Sequence, residues 1–95
     1  MLAIEFEWDP GKEATNRRKH HVSFAEASTV FDDSLAKIFF DSGHSQNEAR
    51  EIIVGHSVTG SLLLVSFTER TADRIRIIGA CDATRAEKKD YEEAV

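Results

Sequence analysis

The chain has 95 residues, 41% of them hydrophobic and 31% charged, the composition of a water-soluble globular domain with a small core. Twelve Lys and Arg against seventeen Asp and Glu leave a formal net charge of −5, which argues against a broadly basic nucleic-acid-binding surface but permits a local basic patch. The single cysteine, Cys81, cannot close an internal disulfide, the apolar runs are too short to span a bilayer, and the start carries no signal-peptide pattern. One cytoplasmic domain over residues 1–95, with no membrane partner, is the expectation.

Leu2, Ile4 and Phe6 alternate with Ala3, Glu5 and Glu7, the pattern of a half-buried strand near a sheet edge, and Trp8 stands at its end. Asp9-Pro10 then starts a helix predicted to reach about His20, because Asp accepts from the open amides and Pro needs no partner for its nitrogen in the first turn. Its last turn gathers Arg17, Arg18, Lys19 and His20, which suits the negative end of the helix dipole and makes a local basic patch. Ser23-Phe24-Ala25-Glu26 reads as a capping box, with Val22 stapling onto Ala27, and opens a second helix from Phe24 to Phe31. Phe24, Ala27, Val30 and Phe31 form its apolar stripe. Ala36 to Phe40 reads as a short strand, and Asp41 to Glu48 as a polar loop.

Three runs rich in Ile, Val, Leu and Phe follow: Arg50 to His56, Leu62 to Thr68 and Arg74 to Ala80. Each is too short for a buried helix and is bounded by turn-prone residues, so they are predicted to form an antiparallel meander. The middle run is apolar at nearly every position, as in a central strand covered on both faces. Thr68, Glu69 and Arg70 end it and should sit at one rim of the sheet. Thr84-Arg85-Ala86-Glu87 is a second capping box and opens a C-terminal helix to about Glu93, with only Tyr91 and alanines as apolar material. The resulting class is α+β: two N-terminal helices packed on a small, mostly antiparallel sheet, followed by a C-terminal helix.

Three stretches together resemble the BrnT family of small toxins. The first is Phe6-x-Trp8-Asp9-x-x-Lys12, continuing through Asn16 and Lys19-His20 to Val22-x-Phe24-x-x-Ala27. The second is Asp41-x-x-His44 leading to Glu48-x-Arg50. The third is Gly60-x-Leu62-Leu63 to Thr68-Glu69-Arg70, then Ile75-Arg76-Ile77-Ile78 and Ala83-Thr84-Arg85. The resemblance implies a RelE-like fold and the toxin half of a type II toxin–antitoxin pair, an endoribonuclease that cleaves RNA without a metal and blocks translation. It also implies a BrnA-like antitoxin partner, with operator DNA reached only indirectly through that antitoxin. In two places the chain departs from the family's pattern: Cys81 stands where an arginine is expected, and Asp82 where a lysine is expected. If that arginine belongs to the active site, the expectation is a slow nuclease, or a non-catalytic protein that binds antitoxin and co-represses a promoter.

Metal-independent RNA cleavage uses the 2′-hydroxyl as nucleophile and needs a base for its proton, cations for the charge gathering on phosphorus, and an acid for the leaving oxygen. Arg70 is the first candidate for the cation, since its fork matches two phosphate oxygens and stays charged. Arg76 is a second. Glu48, Glu69 and His20 are candidates for base or acid. Trp8, Lys19, Arg50 and His44 are candidates for substrate binding, Trp8 by stacking on a base. Four histidines and one cysteine show no zinc-ligand spacing and there is no glycine-rich phosphate loop, so no cofactor is expected.

Overall fold

The computed structural model describes residues 4–41 and 49–93, except for the side chains of residues 90, 91 and 93. The elements are β1 (Glu5–Glu7), α1 (Pro10–His20), α2 (Phe24–Ser28) with a 3-10 turn (Thr29–Asp32), β2 (Lys37–Phe40), β3 (Glu51–His56), β4 (Leu62–Thr71), β5 (Arg74–Asp82) and α3 (Arg85–Glu93). Among the described residues the strands form one sheet in the order β1-β5-β4-β3-β2. The predicted meander is present as β3, β4 and β5, paired antiparallel, and β2 adds antiparallel to β3. β1 is an edge strand as expected, but it runs parallel to β5, with Phe6 opposite Ile75. The sheet is therefore mixed.

The core lies on the face that carries α1 and α2, the helix-bearing face. Val22, Phe24, Ala27 and Val30 meet Ile53, Leu63, Val65, Phe67, Ile75, Ile77 and Ala80. Phe24, Ala27, Val30, Leu63 and Val65 have no exposed surface at all. The opposite face holds a smaller cluster, Val54 and Leu62 with Ile52, Leu64 and Ala83 half-buried around them. β4 is thus well covered on one face and partly covered on the other. α3 opens on the expected capping box: the Thr84 amide donates to Glu87 at 2.7 Å and the Glu87 amide to the Thr84 hydroxyl at 3.2 Å.

The second predicted helix differs in two ways. It is α-helical only to Ser28, and a 3-10 turn carries Val30 and Phe31. Ser28 and Thr29 each donate a hydroxyl back to a carbonyl three residues earlier, which tightens the chain there. Phe31 is half-buried between Phe6 and Phe67, edge-on to the latter at 5.0 Å. Only the forward half of the capping box forms: the Glu26 amide donates to Ser23. The Glu26 carboxylate instead accepts from the hydroxyls of Ser57 at 2.8 Å and Thr59 at 2.7 Å, pinning α2 to the turn between β3 and β4. Gly55 allows this docking, since a Cβ there would stand 2.8 Å from Ala36 Cβ and 3.1 Å from Val30 Cγ1.

α1 contributes no fully buried side chain. Asp9 caps it, accepting from the amides of Gly11 and Lys12. Its seat comes from Asn16, whose amide group donates to Ala80 O at 2.8 Å and to Val22 O at 3.0 Å, while its oxygen accepts from the Ala80 amide at 3.1 Å. Because β1 pairs with β5 only from Arg74 to Arg76, the β5 edge at Ala80 has no strand beside it, and Asn16 takes that role.

Two replacements test this packing in urea denaturation. Phe24→Ala should lower stability by about 3–5 kcal/mol, as for a fully buried phenylalanine. Asn16→Ala should cost about 1–3 kcal/mol for each backbone group of Ala80 and Val22 that it orphans. An Asn16→Ala midpoint equal to that of the parent would show that α1 is seated by something else.

Candidate ribonuclease site

The strongly apolar part of β4 ends at Phe67, yet the strand continues to Thr71 because β5 keeps pairing with it. The register slips twice there, between Ser66 and Phe67 and between Glu69 and Thr71. Such irregularities bend a strand and re-aim its side chains, and they recur beside active sites. Arg70 is the residue left without an opposite number on β5: Glu69 faces Ile75 and Thr71 faces Arg74. Thr68 is buried and donates its hydroxyl to Ala49 O at 2.7 Å, tying the approach to β3 onto the end of β4. The result is a cleft of about 360 Å³ lined by Ala49, Glu51, Thr68, Glu69 and Arg70.

This cleft unites Glu69 and Arg70 from the predicted set and adds Glu51. Glu51 opposes Phe67 and so shares the parity of Ile53 on the helix-bearing face. A carboxylate on the buried parity of an apolar strand is the signal in the sequence that could have found it. Arg76 opposes Thr68 on one side and Glu7 on the other, so it lies on the helix-free face. Its Nε donates to Glu7 at 3.1 Å, and Arg74 pairs with Glu5 at 3.0 Å and Glu7 at 3.5 Å. The two β1 carboxylates therefore offset most of the positive charge of these arginines. Arg50 is half-buried just before β3, its carbonyl taking the Asp41 amide at 2.8 Å.

Lys19 and His20 line a second cleft, of about 510 Å³, with Asp9, Gly11, Lys12, Thr15, Asn16 and Ile78. It runs between α1 and the part of β5 that β1 leaves uncovered. The predicted residues are thus divided: Glu69 and Arg70 at the sheet end, Lys19 and His20 along α1. Trp8 is half-buried and packs edge-on to Phe24 at 6.0 Å, as part of the wall of the core. His44 and Glu48 lie outside the described residues.

A family profile described as the ribonuclease toxin BrnT of type II toxin–antitoxin systems matches residues 8–87. The chain belongs to the BrnT family. The crystal structure of the Brucella abortus ribonuclease toxin BrnT is similar in fold, with a TM-score of 0.64 and 22% identity over 90% of this chain and 100% of that one. No curated protein matches. Membership in a type II toxin–antitoxin family implies an antitoxin partner. Among the described residues no helix is long and apolar enough to cross a membrane, and no three His, Cys, Asp or Glu side chains are grouped to hold a metal ion.

The BrnT departure at Cys81 falls on β5 opposite Leu64, on the helix-free face. It lies five positions beyond Arg76 along the strand, roughly 16 Å. Burial pushes the Cys81 thiol up from its ordinary range, and the charges of Glu87 and Asp82 push it further. A thiol held protonated is a poor nucleophile. Alkylation of Cys81 by iodoacetamide at pH 8 should therefore be slower in the folded protein than after denaturation. Because the folded pKa is raised, the thiol's contribution to stability is complete below the unfolded pKa and is lost as pH rises through the folded one. Equal alkylation rates in the folded and denatured chain would contradict this.

Proposed function

We propose that this BrnT-family chain is an endoribonuclease toxin that acts in the cytoplasm, cleaves RNA by attack of the 2′-hydroxyl, inhibits translation and is silenced by a BrnA-like antitoxin. The observation that carries the reading is the meeting of Glu69, Arg70 and Glu51 in one cleft at a double irregularity of the central strand. Glu69 takes the proton of the 2′-hydroxyl, whose oxygen bonds to the adjacent phosphorus. Arg70 faces the charge that gathers on the phosphate oxygens. The bond to the 5′-oxygen breaks, leaving a 2′,3′-cyclic phosphate, and that oxygen takes up a proton from solvent or Glu48. No step calls for a metal. Lys12, Lys19 and His20 along α1 would hold the RNA backbone on either side of the cut, a local basic track on an acidic protein.

Arg76 on β5 and Arg50 just before β3 support the site in this reading, with Arg76 restrained by Glu7. Cys81 takes no part, because it stands well along β5 from the cleft. The second reading, a non-catalytic antitoxin-binding co-repressor, draws on the replacement of the family's arginine and lysine by Cys81 and Asp82.

Cleavage of a single-stranded RNA at low salt, with chelator present, decides between them. Arg70→Ala, checked for folding by circular dichroism, should lower the rate on the order of 10²–10³, the cost of one charge-stabilising donor. Cys81→Arg should leave the rate unchanged. A gain in rate and toxicity from Cys81→Arg would move the active centre toward the far end of β5. If neither the parent nor Cys81→Arg cleaves RNA or slows growth, the non-catalytic reading stands.

A further inference from the structure

Among the described residues, four of the six large hydrophobic side chains that stand exposed fall in one short segment: Leu35, Ile38, Phe39 and Phe40, each more than half exposed. Three of them make up most of β2, the outer strand of the sheet, which no other described strand covers. Edge strands are ordinarily blunted by a proline, a bulge or an inward-pointing charge. β2 has no proline and no bulge, and its register with β3 is regular over all four residues; only its short length and Lys37 at one end blunt it.

The backbone indicates what completes it. The Asp41 amide bonds the Arg50 carbonyl, so by the two-residue period Lys37, Phe39 and Asp41 turn their backbone groups toward β3. Ile38 and Phe40 turn theirs outward. A second copy of β2, antiparallel about a twofold axis through Phe39, satisfies all of these groups at once. Ile38 of one copy then exchanges both hydrogen bonds with Phe40 of the other, and the reverse, making four bonds. Phe39 packs against Phe39 on the helix-free face, and Ile38 against Phe40 on the helix-bearing face. Lys37 comes opposite Asp41 at each end, so the charges are complementary in this register.

We propose that the chain forms a twofold dimer through β2, joining two five-stranded sheets into one continuous sheet with α1 and α2 of both copies on the same face. The contact is about 13 Å of strand, which places it among weak, concentration-dependent associations.

Sedimentation equilibrium of the full chain, up to about 1 mM because contacts of this size are weak, should show the mass rising from 10.6 kDa toward twice that value. Lys37→Asp should weaken the dimer at least about tenfold by setting two carboxylates opposite each other, and Asp41→Lys added to it should restore association. A second measurement is independent of these ion pairs. In a Cys81→Ser background, Phe39→Cys should oxidise readily to a disulfide-linked dimer, since an opposed non-hydrogen-bonded pair stands about 4.5 Å apart at Cα. Phe40→Cys, which has no copy of itself opposite, should cross-link at least about tenfold more slowly. A monomer at every concentration would overturn the proposal. So would equal cross-linking at both positions, or a folded charge-swapped protein that fails to recover association. Assembly only when an antitoxin is added would assign the edge to a different occupant and overturn it as well.

Discussion

Asn16 ties α1 to the β5 edge and to the start of α2 by three hydrogen bonds. α1 buries no side chain fully, and β1 covers only the first three residues of β5. Without Asn16 the β5 backbone at Ala80 would be an open edge, and α1 would lose three of the hydrogen bonds that seat it. One side-chain amide has both the donors and the acceptor that such an edge requires, so it can stand in for a missing strand. By also holding Val22 O, it directs the turn after α1 so that Val22 enters the core and α2 begins over the sheet. The rest of the helix-bearing face follows from that placement: Phe24, Ala27 and Val30 dock on β3, β4 and β5, and Glu26 locks the β3–β4 turn.

The same arrangement sets out the charges. Because α1 is anchored through polar residues, Asn16 and Glu13, its lysines and His20 are left to line a cleft beside β5. At the end of β4, two slips of register leave Glu69 and Arg70 on an exposed rim next to Glu51. The arginines deeper on the helix-free face are instead balanced by Glu5 and Glu7 of β1. An acidic protein thereby keeps unevenly distributed positive charge, and a polyanionic substrate would meet it in two grooves rather than over a broad surface.

Much of the fold could be read in the sequence because local chemistry decides it. Asp9-Pro10, Ser23 and Thr84 mark helix starts through groups that act within one turn, and the runs of Ile, Val and Leu mark strands by period. The parallel pairing of β1 could not be read, because six residues alternating in polarity fit either direction. The role of Glu26 was also hidden: a capping box and a clamp on a distant turn use the same carboxylate, and only the closeness of Ser57 and Thr59 decides between them. Asn16 stood out in the motif without a reason, since its partner lies 64 residues away. Of the site, the pair Glu69-Arg70 was legible as the polar end of an apolar strand. Its separation from His20 and Lys19 was not, because that depends on how far β1 extends along β5.

The most direct test of the central claim, that RNA cleavage takes place at the end of β4, is a titration of the isotopically labelled protein with a short RNA carrying 2′-O-methyl groups. Blocking the nucleophile leaves binding intact while preventing cleavage. Amide shifts should be largest and saturable at Ala49, Glu51, Thr68, Glu69 and Arg70, with smaller shifts along α1. Shifts confined to Lys12, Lys19 and His20, with the β4 end unmoved, would contradict the account.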